Sequence, residues 1–289
     1  MSLWKRWVER TSREVDVRPL GVTRIAVAGC ILLDLLRVAQ VGMVDVLFQT
    51  FGDGGLSKKQ DPAWVLDDWI GAVAAGPTAF WTTICCMVLT MLGVGTRPAM
   101  LLGILAYAQL GHGYPPGDRA IDRILRLVLF ALLFTNAHRV FALDNRILKR
   151  APVLTTPQWA YDLLKYFIAL VYICAGVGKI MKQPMWLGFP KFPPLYRIVT
   201  DPLAGHLDPS FWVDFTWLFT AGSWFTIVWE IGAFVILTRL GRWWALGGAF
   251  MHVGIALTME LGMFSWGMLA LYPILWAGWV SAGLDRLKR

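Results

Sequence analysis

Long apolar runs, broken only by short charged or proline- and glycine-rich pieces, leave this chain few folds to choose from. A helix needs about 20 predominantly apolar residues to cross a bilayer, and such runs recur along the whole sequence. Over 289 residues, 57% are hydrophobic and 16% charged, far too little charge to cover a soluble domain of this size. The pattern predicts an all-α, polytopic integral membrane bundle of about eight transmembrane helices. They fall near 21–48, 78–95, 98–111, 124–141, 158–180, 212–238, 243–260 and 262–281. The third is short for a full span and is expected to tilt or to continue into its flanks. Residues 1–20 read as a basic N-terminal segment, and 21–289 as one transmembrane domain without repeat or linker. No cleavable signal is expected, because MSLWKRWVERTSREVDVR is polar and basic throughout.

Basic residues set the expected topology. Lys5, Arg6, Arg10, Arg13 and Arg18 precede the first helix, and Arg97 follows the second. Arg139, Arg146, Lys149 and Arg150 follow the fourth, Arg239 and Arg242 the sixth, and Arg286, Lys288 and Arg289 the last. In an eight-helix layout all lie on one side, which the positive-inside rule makes cytoplasmic, with both termini. The net charge of +8 is thereby assigned to topology, and no nucleic-acid partner is expected. The opposite side carries two larger connections, Phe51–Trp69 and Lys182 to about Pro209. The second, rich in Pro, Trp and Phe, is suited to lie at the bilayer interface or to cap a cavity. Cys30, Cys85, Cys86 and Cys174 lie in apolar segments without metal-ligand spacing. His112, His138, His206 and His252 are scattered, so no metal site is expected.

The polar residues inside the helices carry the functional information. Each charge costs at least ~2.5–3.5 kcal/mol at the bilayer centre, so most must face a partner or a shared interior. Asp34 and Arg37, three apart, and Asp122 and Arg126, four apart, read as structural pairs. Arg24 reads as an interfacial anchor, and Lys165, Tyr172 and Lys179 form one polar stripe at seven-residue spacing. Lys179 and His252 have no partner near them in sequence. Desolvation disfavours a charged amine, so Lys179 is a candidate base; the competing readings are snorkelling to head groups or pairing with a carboxylate on another helix. Lys179 and His252 are expected to face one cavity beneath the Lys182–Pro209 segment.

Three stretches in order resemble the HTTM superfamily, whose best-known members are the vitamin K-dependent gamma-carboxylases. The first runs from Asp122-Arg-Ile-Leu-Arg to NAHRVFALDN at Asn136–Asn145. The second is Tyr172-Ile-Cys-Ala-Gly-Val-Gly-Lys179, followed by Trp186 and Gly188. The third is His252 with Glu260-Leu-Gly-Met-Phe-Ser-Trp-Gly-Met-Leu-Ala. The resemblance implies that Lys179 is the base that deprotonates a quinol such as vitamin K hydroquinone, with oxygen and carbon dioxide as co-reactants. It implies that His252 contacts the quinol, with Tyr172, Trp186, Glu230, Glu260 and Phe264 as substrate-binding candidates. The chain departs from the carboxylases at Asp122, where they hold a histidine, at Ile255, where they hold an asparagine, and at Gly178, where they hold a second lysine. It is also expected to lack their peptide-binding soluble domain.

Three function classes follow. The first is a carboxylase-like membrane enzyme, of lyase or quinol-dependent monooxygenase type, acting on a quinone-like, lipid-soluble or peptide substrate in the lipid bilayer. The second is a non-catalytic membrane partner or maturation factor for a secreted peptide. The third is a small-solute or proton-linked transporter using Asp34, Glu230 and His252; the missing repeat and symmetric broken helices weigh against it.

Overall fold

The computed structural model describes residues 2–49, 51–56, 69–182, 184–188 and 191–287. Most of the Phe51–Trp69 connection therefore lies outside the described residues. The chain forms two compact units, Met1–Ala160 with Ala277–Arg289, and Tyr161–Trp276.

In the first unit, α1 (Leu3–Ser12) leads through strand β1 (Glu14–Asp16) into α2 (Arg18–Gln40). Strand β1 pairs antiparallel with β2 (Thr155–Pro157), Val15 opposite Thr156. Helices α3 (Ala72–Leu92), α4 (Thr96–Gly113) and α5 (Ala120–Leu132) complete the bundle, with α3 packed along both α2 and α4. Val27, Ile31, Phe80, Met87, Met100, Val128 and Leu129 form its apolar interior. Arg18 ties the two ends of the chain together, donating to Asp16 and, at 2.5 Å, to Asp285 of α12 (Ala277–Arg286).

The second unit holds α6 (Trp159–Lys182, shared at its start with the first), α7 (Pro194–Val199), α8 (Thr216–Ile231), α9 (Gly241–Thr258), α10 (Phe264–Leu269) and α11 (Tyr272–Leu275). Helix α7 folds the Lys182–Pro209 connection back onto α8. Tyr196 and Val199 pack with Phe219 and Met259, flanked by Leu195, Trp212 and Ile255. The connection thus covers α8 and α9 with a filled aromatic core.

All eight apolar segments are helical, but their ends differ from expectation. The first stops at Gln40 and resumes as a short turn at Val44–Phe48. The fourth stops at Leu132, because Thr135 accepts a hydrogen bond from Ala137 N–H and starts a 3-10 turn at Asn136–Arg139. A threonine hydroxyl competes well for backbone groups at such positions. The eighth breaks before Tyr272, since Pro273 in the next first turn cannot donate to a continuing helix.

Four described helices are long and apolar enough to cross a membrane: Arg18–Gln40, Ala74–Leu92, Trp159–Lys182 and the run Pro209–Leu237. A fifth is added if Phe264–Leu275 and Ala277–Arg286 count as one broken span. At 1.5 Å per residue, 13-residue α5 covers roughly 20 Å, short of a hydrocarbon core of about 30 Å. The chain is a multi-pass membrane protein.

Candidate functional site

Three helices of the second unit converge on two linked polar clusters. Helix α6 contributes Tyr172, Gly176 and Lys179, spaced four and three apart and so on one face. Helix α8 contributes Trp229 and Glu230 near its C-terminal end. Helix α9 contributes Trp244, Gly248 and His252, one every four residues along a single stripe.

In the first cluster Lys179 Nζ donates to both carboxylate oxygens of Glu230, at 2.6 and 2.7 Å. The Lys179 side chain is 22% exposed and that of Glu230 9%. Trp186, from the turn after α6, lies with its ring centroid 5.3 Å from Nζ, a cation–π contact, and is itself buried. Of the readings open for Lys179, pairing with a carboxylate on another helix is the one seen, and the sequence could not name the partner. Lys179 is held by a carboxylate from another helix, and Glu230 is its ion partner. The reason is distance along the chain: Glu230 is 51 residues away, and only the packing of α8 on α6 brings it near. That packing depends on Gly176. A methyl group there would meet Ile231 Cγ1 at 2.9 Å and Glu230 Cβ at 3.0 Å.

In the second cluster His252 Nε2 and the Tyr172 hydroxyl share a 2.6 Å hydrogen bond, and that hydroxyl lies 3.1 Å from the Tyr272 hydroxyl. All three side chains are buried, His252 to 1% exposure. Trp244 meets the Tyr172 ring edge-on at 5.0 Å and stacks on Trp229 at 5.0 Å. Phe264 lies 5.8 Å from the His252 ring. Three buried polar atoms here have no hydrogen-bond partner among the described residues: His252 Nδ1, Trp229 Nε1 and Trp244 Nε1. A buried, unpaired polar group costs about 1–3 kcal/mol, so several of them around one tyrosine pair are a costly arrangement for the fold alone.

Gly248 is the hinge of this arrangement. A Cβ at Gly248 would stand 2.4 Å from the Tyr272 hydroxyl and 3.5 Å from Trp229 Nε1. Gly248→Ala is expected to cost about 1–3 kcal/mol by overpacking and to push Tyr272 away from Tyr172. Detergent-solubilised protein checks this by its thermal midpoint; a midpoint within error of wild type would show that Tyr272 has room to move.

The remaining expectations are distributed differently. Glu260 is exposed, with its N–H bonded to Ala204 O, and lies outside both clusters as described. Arg24 is fully buried in the first unit and donates to Ala137 O and Phe141 O, so it is no interfacial anchor. The charge network of that unit is real but differently wired. Asp34 and Asp122 both pair with Arg119, where neighbour spacing had favoured Arg37 and Arg126. Asp122 sits three residues into α5 and accepts the Arg119 backbone N–H, so its carboxylate looks back over the first turn instead of forward to Arg126. It also accepts from the Tyr107 hydroxyl at 2.8 Å. Arg126 bonds Asp118 at 2.6 Å and lies over the Tyr107 ring. A cavity of about 230 Å³ opens beside these groups. Arg119 and Asp118 carried a signal in being polar beside an expected helix start, whereas Tyr107, Tyr272 and Trp244 carried none beyond their aromatic type.

The family model described as HTTM domain matches residues 122–279. No curated protein and no solved structure matches the chain. The matched stretch begins at Asp122 in the first unit, takes in Lys179, Glu230, His252 and Tyr272, and exceeds half of the chain. A multi-pass membrane chain matched over that length belongs to the HTTM family and is related to the gamma-carboxylases.

Proposed function

We propose that this protein is a membrane-embedded enzyme that uses the Lys179–Glu230 pair as an acid–base unit on a lipid-soluble hydroxyl substrate, carboxylase-like in chemistry. The observation that carries the reading is the adjacency, on α6, α8 and α9, of a part-buried ion pair and a tyrosine–histidine network with unpaired polar atoms. A quinol fits those atoms. Its oxygens suit the indole N–H groups of Trp229 and Trp244 and the free Nδ1 of His252, and its ring suits the aromatic walls of Trp244, Tyr272 and Phe264. When bound, a quinol supplies an acidic hydroxyl whose anion reacts with oxygen; carbon dioxide would be the co-reactant of a carboxylation.

The residues themselves supply proton management. Lys179 donates to Glu230 across 2.6 Å, a path along which a proton can pass between amine and carboxylate. Transfer of that proton to Glu230 leaves a neutral amine at Nζ that can accept another. Trp186 covers one side of the amine with its ring, which narrows the directions from which a proton can be exchanged. Tyr172 and Tyr272 fix the His252 ring, so that Nε2 is occupied and Nδ1 is the nitrogen presented to a ligand.

The proposed setting is eight membrane crossings with both termini in the cytoplasm, supported by the basic clusters beside the helix ends. Titration of phylloquinol into nanodisc-embedded protein, followed by tryptophan fluorescence under argon, tests the site. Saturable binding weakened at least about tenfold by His252→Phe is expected, the loss of one buried hydrogen bond to a ligand. Equal binding by wild type and variant would remove the quinol reading.

A further inference from the structure

Helix α1 stands apart from the packed interior of its unit. Every described side chain from Trp4 to Arg10 is exposed, with Trp4 at 68% and Trp7 at 56%. The residues nonetheless segregate. Trp4, Trp7, Val8 and Thr11 recur at the three- and four-residue spacing of one helix face, and Lys5, Arg6, Glu9 and Arg10 occupy the other. The two indoles stack at 5.1 Å and make one aromatic block on that face. Thr11 adds a methyl to that face, because its hydroxyl turns inward to the Trp7 and Val8 carbonyls at 2.9 and 3.2 Å. Ser2 caps the helix by accepting the Lys5 N–H, so the segment starts as a defined element.

Position supplies the occupant. Only residues 13–17 separate α1 from α2, a membrane-spanning helix, and β1 within them is pinned to β2. Five residues reach roughly 18 Å at most, so α1 is confined to the level of the bilayer surface at the start of that span. Three bases against one acid on the polar face complement a negatively charged surface, and paired tryptophans are the residues that settle at head-group depth. A ten-residue helix is marginal in water alone, so such a surface would also complete its folding.

We propose that α1 is an interfacial helix that binds anionic phospholipid head groups of the bilayer, with Trp4 and Trp7 inserted and Lys5, Arg6 and Arg10 on the phosphates. Hydrogen exchange by mass spectrometry on the full chain tests this, in nanodiscs of phosphatidylcholine alone and with about 30% phosphatidylglycerol, an anionic surface of ordinary density. Amides of α1 are expected to exchange at least about tenfold more slowly in the anionic discs. The difference should vanish in about 0.5 M salt, where charges are screened within roughly 4 Å. It should vanish also in Lys5→Glu/Arg6→Glu/Arg10→Glu, whose surface partitioning falls roughly a hundredfold or more. Unchanged exchange in α2 would certify that the variant is folded. Equal α1 exchange in the two lipids, or protection that survives the triple reversal, would overturn the proposal and point to a docking place on protein or to apolar insertion alone.

Discussion

Glu230→Ala is expected to remove most of the folded protein recovered from membranes, whereas the double replacement Lys179→Met/Glu230→Leu restores it. Removing one member of a buried pair leaves the other charged and unpaired, at about 3–5 kcal/mol, a large fraction of the 5–15 kcal/mol that ordinarily holds a domain together. Replacing both with apolar side chains of similar volume removes that penalty, and such swaps are often neutral or stabilising. The pair qualifies because Glu230 is 9% and Lys179 22% exposed, and each carboxylate oxygen receives its own bond. Monodisperse yield by size exclusion measures the outcome. A single variant as abundant as wild type would mean that water or lipid head groups solvate Lys179 without Glu230, and that the amine snorkels.

Asp122→Ala is expected to be comparably severe in the first unit. The carboxylate is 5% exposed and accepts from the Tyr107 hydroxyl, the Arg119 backbone and the Arg119 guanidinium, which in turn reaches Asp34 on α2. Its loss uncaps α5, orphans the buried Tyr107 hydroxyl and loosens the link to α2, together about 3–5 kcal/mol. Thermal midpoints in detergent should fall for Asp122→Ala and recover in part for Asp122→Asn, which keeps the acceptor oxygen. Normal stability of both variants would argue for a ligand-binding role for Asp122 beside the neighbouring cavity.

These two sites show how far the sequence could be read. Each apolar segment became helix because hydropathy is a local property. Helix ends escaped where a single side chain decided them, as Thr135 did after Leu132 and Pro273 did at the break before Tyr272. Lys179, Glu230, His252 and Tyr172 stood out as polar residues in apolar surroundings, and Lys179 demanded a partner. Which partner it found depended on the close approach of α8 at Gly176, a tertiary fact that no spacing encodes. Arg119 illustrates the reverse. Neighbour rules along one helix favoured Asp34 with Arg37 and Asp122 with Arg126, yet a single arginine in the preceding loop reached both carboxylates and satisfied them together. Tyr272 was concealed by its setting in an aromatic-rich run, where one more tyrosine carries no signal.

The central claim is that Lys179 and Glu230 move a proton for a lipid-soluble substrate, rather than merely joining two helices. Oxygen-dependent consumption of vitamin K hydroquinone by nanodisc-embedded protein tests it most directly, comparing wild type with the folded Lys179→Met/Glu230→Leu variant. Turnover by wild type is expected, with a fall of about 10²–10⁴ in the variant, the usual contribution of a general base, and phylloquinol binding retained. Consumption by wild type no faster than by the variant would contradict it and leave the pair a structural staple.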